Sequence, residues 1–418
     1  MLLKKQICLI VDAYTTGKYL APMLIANGYV CWHIQSRSEV ILAYQKSFIA
    51  ENFSRNLIYD GNINAILNAV SEFQVKTVIP GAETGVILAD LLSEKLNLPG
   101  NASCTSDIRR NKFLMSQALL KSKVPVASFI STNQLPEILL WKKENKLKKI
   151  VLKPLLGGGS DHVFICESDN EIHAAFKKIL SEKDVFEQSN VELLAQEFIE
   201  GQEYIVNTVT INKKHYIVDM WKKFKAHHNG VPINLYSIAI DSTASEFKAL
   251  SSYTYQVLDA LQIRHGAGHT EVMLNEKGPL LIETGARLAG SIDPSAVNEV
   301  YGINHIKAVV DAVINPEKFS TPDDIFLKKQ GMHFFFSSFQ SGKIENKPNF
   351  SAINNLSTFH SLLFAYDVNQ VLEKTTSLAN FPGYGYLIGD EINKIMSDYQ
   401  LLRHHEEKIY SDMLCYSE

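Results

Sequence analysis

Residues 150–163 read Ile150-Val151-Leu152-Lys153-Pro154-Leu155-Leu156-Gly157-Gly158-Gly159-Ser160-Asp161-His162-Val163. A short apolar run carries a lysine to its end, and Pro154 stops it. Proline is poorly tolerated inside a ladder, which puts Lys153 at a strand terminus. Gly157, Gly158 and Gly159 lack Cβ atoms, so the backbone can turn sharply and present several N–H groups to an anion, with Ser160 beside them. A fixed ammonium next to an amide-lined flap suits a polyphosphate. A hairpin turn with an incidental lysine is the plainer reading, and the surrounding chain has to decide between them.

The chain has 418 residues, enough for about two to four domains at roughly 100–200 residues each. Its apolar content of 46% and charged content of 21% are those of a folded, water-soluble protein. A net charge of −4 gives no reason to expect a nucleic-acid partner. Five scattered cysteines without metal-type spacing suit a reducing cytosol, and a cytoplasmic protein is expected. The apolar runs fall short of the ~18–20 residues of a membrane span, so no membrane partner is expected. The opening Met1-Leu2-Leu3-Lys4-Lys5 leads into a strand, not a signal peptide.

Upstream, residues 6–11 form a continuous apolar run, as a buried parallel strand does. A helical pattern over 18–27 ends at Gly28, a second strand covers 29–35, and a third covers 75–80. Gly81-Ala82-Glu83-Thr84-Gly85 and a helix over 86–96 follow. This order predicts a doubly wound α/β domain whose ligand loops lie at the carboxyl ends of the strands. Glu83 is on such a loop; a helix N-terminal acid is the plainer reading. The loop Tyr14-Thr15-Thr16-Gly17-Lys18 matches neither a dinucleotide fingerprint nor a phosphate loop. In 107–115, Phe113, Leu114 and Ala118 are expected to face a core, with Lys112 on another face. Alone, Lys112 reads as a solvated lysine. Residues 124–129, with Pro125, read as an edge strand.

Downstream, 171–180 is an amphipathic helix. An apolar run then ends in acids around Gly201, strands resume at 205–211, and a ribbon covers 215–221. Lys222, Lys223 and Lys225 read most simply as a solvated face. Later, Glu271 in a strand over 269–274 and Glu283 in a strand over 279–283 flank a tight turn at 275–278. Paired antiparallel strands can bring these carboxylates together. They repel unless a cation lies between them, and hard oxygen ligands suit Mg²⁺ sharing its shell with substrate phosphates. Exposed strand acids are the plainer alternative. Arg287 can supply a further cation to a phosphoryl group.

The stretches Arg109-Arg110-Asn111-Lys112-Phe113-Leu114-Met115, Val151-Leu152-Lys153-Pro154 with its glycine flap, Gln196-Glu197-Phe198-Ile199-Glu200-Gly201-Gln202-Glu203-Tyr204, and the Glu271/Glu283 pair together resemble the ATP-grasp enzymes over about residues 1–315. Within them the chain is most similar to the L-amino acid ligases that make dipeptides, through residues 203–209 and 218–223, His269-Thr270-Glu271-Val272, and residues 282–290. The resemblance implies an α/β ATP-grasp fold divided into a doubly wound domain (1–106), a first grasp subdomain with the flap (107–200), a second with the Mg²⁺ and phosphate site (201–318), and a smaller C-terminal α/β portion (319–418).

By resemblance, Lys112 and Lys153 contact the ATP phosphates under a flap that includes Gly158, Gly159 and Ser160. Glu197 and Ile199 lie at the adenine, and Glu203 takes the ribose hydroxyls. Glu271 and Glu283 hold Mg²⁺, with Mn²⁺ as an alternative. Arg287 faces the γ-phosphate and acyl phosphate, and Glu83, Arg287 and Gly290 border the substrates. Where many members carry asparagine two residues after the second glutamate, this chain has Gly285, so one ligand of a second metal position is either missing or supplied by another group. The implied reaction joins a small-molecule carboxylate to an amine, both expected to be amino acids, and a homodimer is compatible with it. Competing readings are a ligase acting on a non-amino-acid carboxylate in natural-product biosynthesis, and a non-catalytic nucleotide-binding regulator. Retention of both lysines, both glutamates and Arg287 argues against the regulator. The sequence assigns no chemistry to 319–418, which is expected to close over the acceptor side. Met332 begins a strand-like run there, and Tyr384 with its neighbouring glycines suggests a turn.

Overall fold

The computed structural model describes residues 6–415 apart from 229–230, 323 and 377–379. Its first sheet holds β1 (Gln6–Val11), β2 (Val30–Gln35), β3 (Arg55–Ile58) and β4 (Gln74–Pro80), all parallel in the order β3-β2-β1-β4. The apolar run of β1 is buried on both faces because side chains alternate along a strand. Ile7, Leu9 and Val11 enter one core, whereas Cys8 and Ile10 enter another. That second core continues through Val206, Val209, Leu258 and Val309, so the first domain packs directly on the rest of the protein. A buried ion pair adds to this join: Arg109 binds Asp90 at 2.8 Å and donates to the carbonyl of Leu261.

The next sheet contains β5 (Phe129–Thr132), β6 (Ile150–Pro154), β7 (Phe164–Cys166) and β8 (Leu193–Glu197), antiparallel in the order β5-β8-β6-β7. The edge strand expected over 124–129 begins only at its last residue, because Pro125 removes a donor from the preceding stretch. In the helix Lys112–Lys121 the buried residues are Lys112, Met115, Ser116 and Leu119. Phe113, Leu114 and Ala118 are only partly buried. The inward face is therefore one position off the expected one, and it carries Lys112 inside.

The largest sheet comprises β9 (Gln202–Ile211), β10 (Lys214–His228), β11 (Val231–Ile240), β12 (Gly266–Asn275), β13 (Gly278–Gly285) and β14 (Gln330–Phe336). After β15 (Gly342–Ile344), two more of its strands follow, β16 (Phe359–Phe364) and, past β17 (Val371–Leu372), β18 (Gly383–Gly389). The order is β13-β12-β9-β10-β11-β14-β18-β16, while β15 and β17 form a small sheet with β19 (Leu414–Cys415). The C-terminal residues thus extend the same sheet that holds Glu271 and Glu283.

Strand β14 separates two environments. Met332, Phe334 and Phe336 enter a core with Ile395 and Leu402 of the helix Ile392–Met413, and His333 and Phe335 point to the opposite face. The turn expected at Tyr384 is instead part of β18. A Cβ on Gly385 would lie 2.3 Å from the carbonyl of Ser361 and 2.4 Å from the Phe334 ring. Close approach, not chain reversal, requires that glycine. No described helix is long and apolar enough to cross a membrane.

Candidate active site

Lys153 is the last residue but one of β6, which Pro154 closes, and it is buried in the cavity that the flap borders. Burial first, and then the neighbouring Lys112, bring its ammonium down to about 8, against the pull of Glu283 and Glu271. Lys112 opens the helix Lys112–Lys121, whose N-cap Asn111 accepts hydrogen bonds from the backbone N–H groups of Phe113 and Leu114. Its Nζ donates to the carbonyl of Gly157 at 3.2 Å and lies 3.1 Å from Glu283. This helix start therefore fixes one cation against both the flap and a site carboxylate.

The flap bends through φ values of 122° at Gly157, 68° at Gly159, 62° at Ser160 and 51° at His162. It is fastened by Asp161, which accepts the N–H of Val185 at 2.8 Å. The next residue, Phe186, gives its carbonyl to Arg37 at 2.9 Å and its ring to the Arg110 guanidinium. Arg37 follows β2 of the first sheet, so the flap region is tied to the first domain through Phe186.

Glu271 and Glu283 are direct cross-strand partners in β12 and β13. Their charges are met by lysines: Lys223 lies 2.9 Å from Glu271, and Lys112 contacts Glu283. Burial alone would raise the Glu283 carboxyl, but Lys112 and Lys153 outweigh it and hold it low. Among the described residues no group of three or more His, Cys, Asp or Glu side chains is placed to hold a metal. A cross-strand pair of carboxylates still fits a divalent cation that completes its shell with phosphate oxygens and water.

The lysine run is not a solvated face. Lys223 is buried, 2.8 Å from Glu203, and Lys225 lies 2.6 Å from the other oxygen of Glu203. Burial would raise the Glu203 carboxyl; the two lysines overcome it and lower it. The overlooked signal was period two: residues 223 and 225 share one face of a strand. Glu197 pairs through its backbone with Ile150 and Ser128, and Ile199 lines the cavity beside it.

Glu83 sits between two guanidiniums, accepting from Arg110 Nη1 at 2.5 Å and from Arg287 Nε at 2.7 Å. Burial works against its charge, and the two arginines prevail, holding the carboxyl below its usual range. Gly285 leaves room for this contact, because a Cβ there would lie 3.0 Å from Glu83 Oε2 and 3.2 Å from Arg287 Cζ. Arg110 was quoted in the sequence pattern without a role, and only the fold brings it to Glu83. Beyond Arg287, Asn207 donates to the buried Asp219 at 2.6 Å and bonds His269 at 2.8 Å. Burial pushes Asp219 up to about 6.

Lys112, Lys153, the flap, Glu197, Ile199, Glu203, Glu271, Glu283, Arg287 and Gly290 all border one cavity of about 540 Å³. Glu83 reaches it through Arg287. A model of the ATP-grasp domain matches residues 147–295. The chain is 32% identical to dapdiamide A synthase of Enterobacter agglomerans over 393 residues, covering 92% of each. It is 22% identical to the L-arginine-specific L-amino acid ligase of Bacillus subtilis over about half of each chain. Its fold matches the crystal structure of an L-amino acid ligase from Bacillus licheniformis with a TM-score of 0.76, at 17% identity and over 97% of this chain and 98% of that one. The chain belongs to the ATP-grasp family of ATP-dependent ligases, which join a carboxylate to an amine through an amide bond.

Proposed function

We propose that this ligase condenses two amino acids through an acyl-phosphate intermediate, with ATP and Mg²⁺ in the cavity floored by β9, β10, β12 and β13. The observation that carries the reading is the meeting of four cations, Lys112, Lys153, Lys223 and Arg287, with the cross-strand Glu271/Glu283 pair at one cavity. A carboxylate is a poor electrophile because its leaving group would be oxide. Phosphorylation replaces that with inorganic phosphate, which the amine then displaces to give the amide, ADP and phosphate.

Lys112 and Lys153 neutralise the phosphates, the flap amides cover them, and Glu197 and Ile199 hold the adenine through their backbone. Glu203 faces the ribose. Glu271 and Glu283 would hold Mg²⁺, or Mn²⁺, and such an ion would supply further charge neutralisation to the phosphates. Arg287 meets the phosphoryl group in flight. Positioning and electrostatics suffice for this step, and no protein nucleophile is needed. Closure of the flap keeps water from the acyl phosphate.

Glu83 bears on the donor. As an acceptor for an α-ammonium it would be the first substrate's anchor, yet both its oxygens already serve guanidiniums. That favours a second reading, a donor acid without a free α-ammonium. Phosphate release and product masses, measured with amino acids and with simple dicarboxylic acids as donors, test both. Condensation products that require both carboxylate and amine are expected. Phosphate release indifferent to the amine, with no product, would overturn the ligase mechanism.

A further inference from the structure

One row of side chains crosses the large sheet. Through the strand registers it runs Met273, Glu203, Lys223, Ser237, His333, Tyr386, and every member lines the cavity. Glu203 and Lys223 belong to the charged half described above. The last three lead away from it into a recess beyond Gly290, walled by Ile292, Phe335 and Phe381.

We infer that this recess receives the side chain of the amine substrate and selects one that is uncharged but hydrogen-bonding, such as a carboxamide or hydroxyl. The inference rests on the ligase reading, which leaves one substrate to be placed. Arg287 is braced by Glu83 from the first domain, and the same cavity continues to residues of the C-terminal strands β14 and β18.

Three of the recess side chains, Asn234, Ser237 and His333, are nine-tenths buried or more. Asn234 Oδ1, Ser237 Oγ and His333 Nε2 have no hydrogen-bond partner among the described residues. Buried polar atoms are almost always paired, and an unpaired one is costly. Asn234 and Ser237 are three apart and would normally face opposite sides of β11. The register shift opposite Phe224 and Lys225 inserts one residue between them and returns both to the cavity face. Such bulges commonly aim a side chain at a site.

No side chain that walls the recess carries an unpaired charge. Lys223 and Lys225 are met by Glu203 and Glu271, and burial with the nearby Lys223 brings the His333 imidazole down to about 3, against the pull of Asp293 outside the wall, so it is neutral. A charged side chain entering here would lose its hydration against walls that offer it no free counter-ion, since Asp293 behind them is already held by Ser295 and Ser361. An aliphatic side chain would leave the three polar atoms unpaired. Gly290 borders the entrance, and a Cβ there would meet nothing within 4 Å.

The test is a competition. The protein is mixed with ATP, Mg²⁺, the standard amino acids and short dicarboxylic acids as donors, and isosteric amines are paired: asparagine with leucine, threonine with valine. Product masses give the ratios. The polar member of each pair is expected to win by roughly tenfold or more. Ser237→Ala should shrink that ratio severalfold while leaving the KM for ATP within about twofold, and Ser237→Thr should restore it. Equal use of the isosteres, or preference for lysine or glutamate, would overturn the inference while the ligase reading stands. Absence of any condensation product would overturn the ligase reading itself.

Discussion

Arg287 Nε donates to Glu83 Oε2 at 2.7 Å, joining residues 204 positions apart in sequence and tying a loop of the first domain to a wall of the cavity. Arg110 holds the other oxygen of the same carboxylate, so the guanidinium of Arg287 is oriented by protein groups alone.

Arg287 is assigned to the transition state. A guanidinium keeps its charge at any working pH and can donate two parallel hydrogen bonds to a phosphate. Arg287→Met should keep ATP affinity within a few-fold, by order-of-magnitude expectation, and lower kcat by roughly 10²–10³. Calorimetry for ATP and single-turnover phosphate release check this. Loss of ATP binding with normal turnover at saturation would make Arg287 a binding residue.

Glu83→Gln separates orientation from substrate binding. If Glu83 chiefly positions Arg287, kcat falls while the KM of the carboxylate substrate changes little. If it anchors an α-ammonium, that KM rises far more than the KM for ATP. Steady-state kinetics in both substrates distinguishes the two.

Glu283→Gln should fold nearly as the parent does and lose most turnover, because one of two cross-strand carboxylates is neutralised. Circular dichroism reports the fold, and activity titrated against Mg²⁺ reports the site. Full activity at limiting Mg²⁺ would remove Glu283 from the metal assignment.

Lys153 provides a pH signature. Its ammonium is at about 8 in the free protein, lowered first by burial and then by Lys112. Phosphate oxygens beside it favour the charged form and raise that value. The affinity for ATP is therefore fully present below about 8 and falls as pH rises through that value. Binding near pH 8 should take up a proton, visible as a dependence of calorimetric enthalpy on the buffer's ionisation enthalpy. Lys153→Arg stays charged and should abolish the uptake.

Gly385→Ala tests the packing of the C-terminal strands. Its new methyl would press on the carbonyl of Ser361 and the ring of Phe334. A loss of about 1–3 kcal/mol is expected, as for other overpacked sites, read from denaturant unfolding. An unchanged midpoint would show that β16 and β18 can spread at little cost.

Much of the cluster that borders the cavity around Lys153, Glu271 and Glu283 was legible in sequence because its residues sit near strand ends and turns, where proline, glycine and spacing give geometric information. Lys153 before Pro154, and Glu271 and Glu283 about the 275–278 turn, are of this kind. Lys223 and Lys225 were hidden because a charge run normally means solvent, and their partners Glu203 and Glu271 come from other strands. Arg110 was hidden for the same reason, its partner lying on a loop of the first domain. Gly385 was misread since a glycine needed for close approach looks in sequence like one needed for a turn. His333 and Phe335 gave no signal, because both faces of β14 are rich in rings and hydropathy does not distinguish them.

That strand carries a liability. Displacing β14 by one residue against its neighbours would exchange its two faces. Met332, Phe334 and Phe336 would fill the recess, and His333 and Phe335 would be forced among the apolar residues that now pack on the helix Ile392–Met413. A one-residue insertion or deletion just before Gln330 would therefore change selectivity and folding together, and variation in this enzyme's substrate range is open to substitution along β14 but closed to changes in its length.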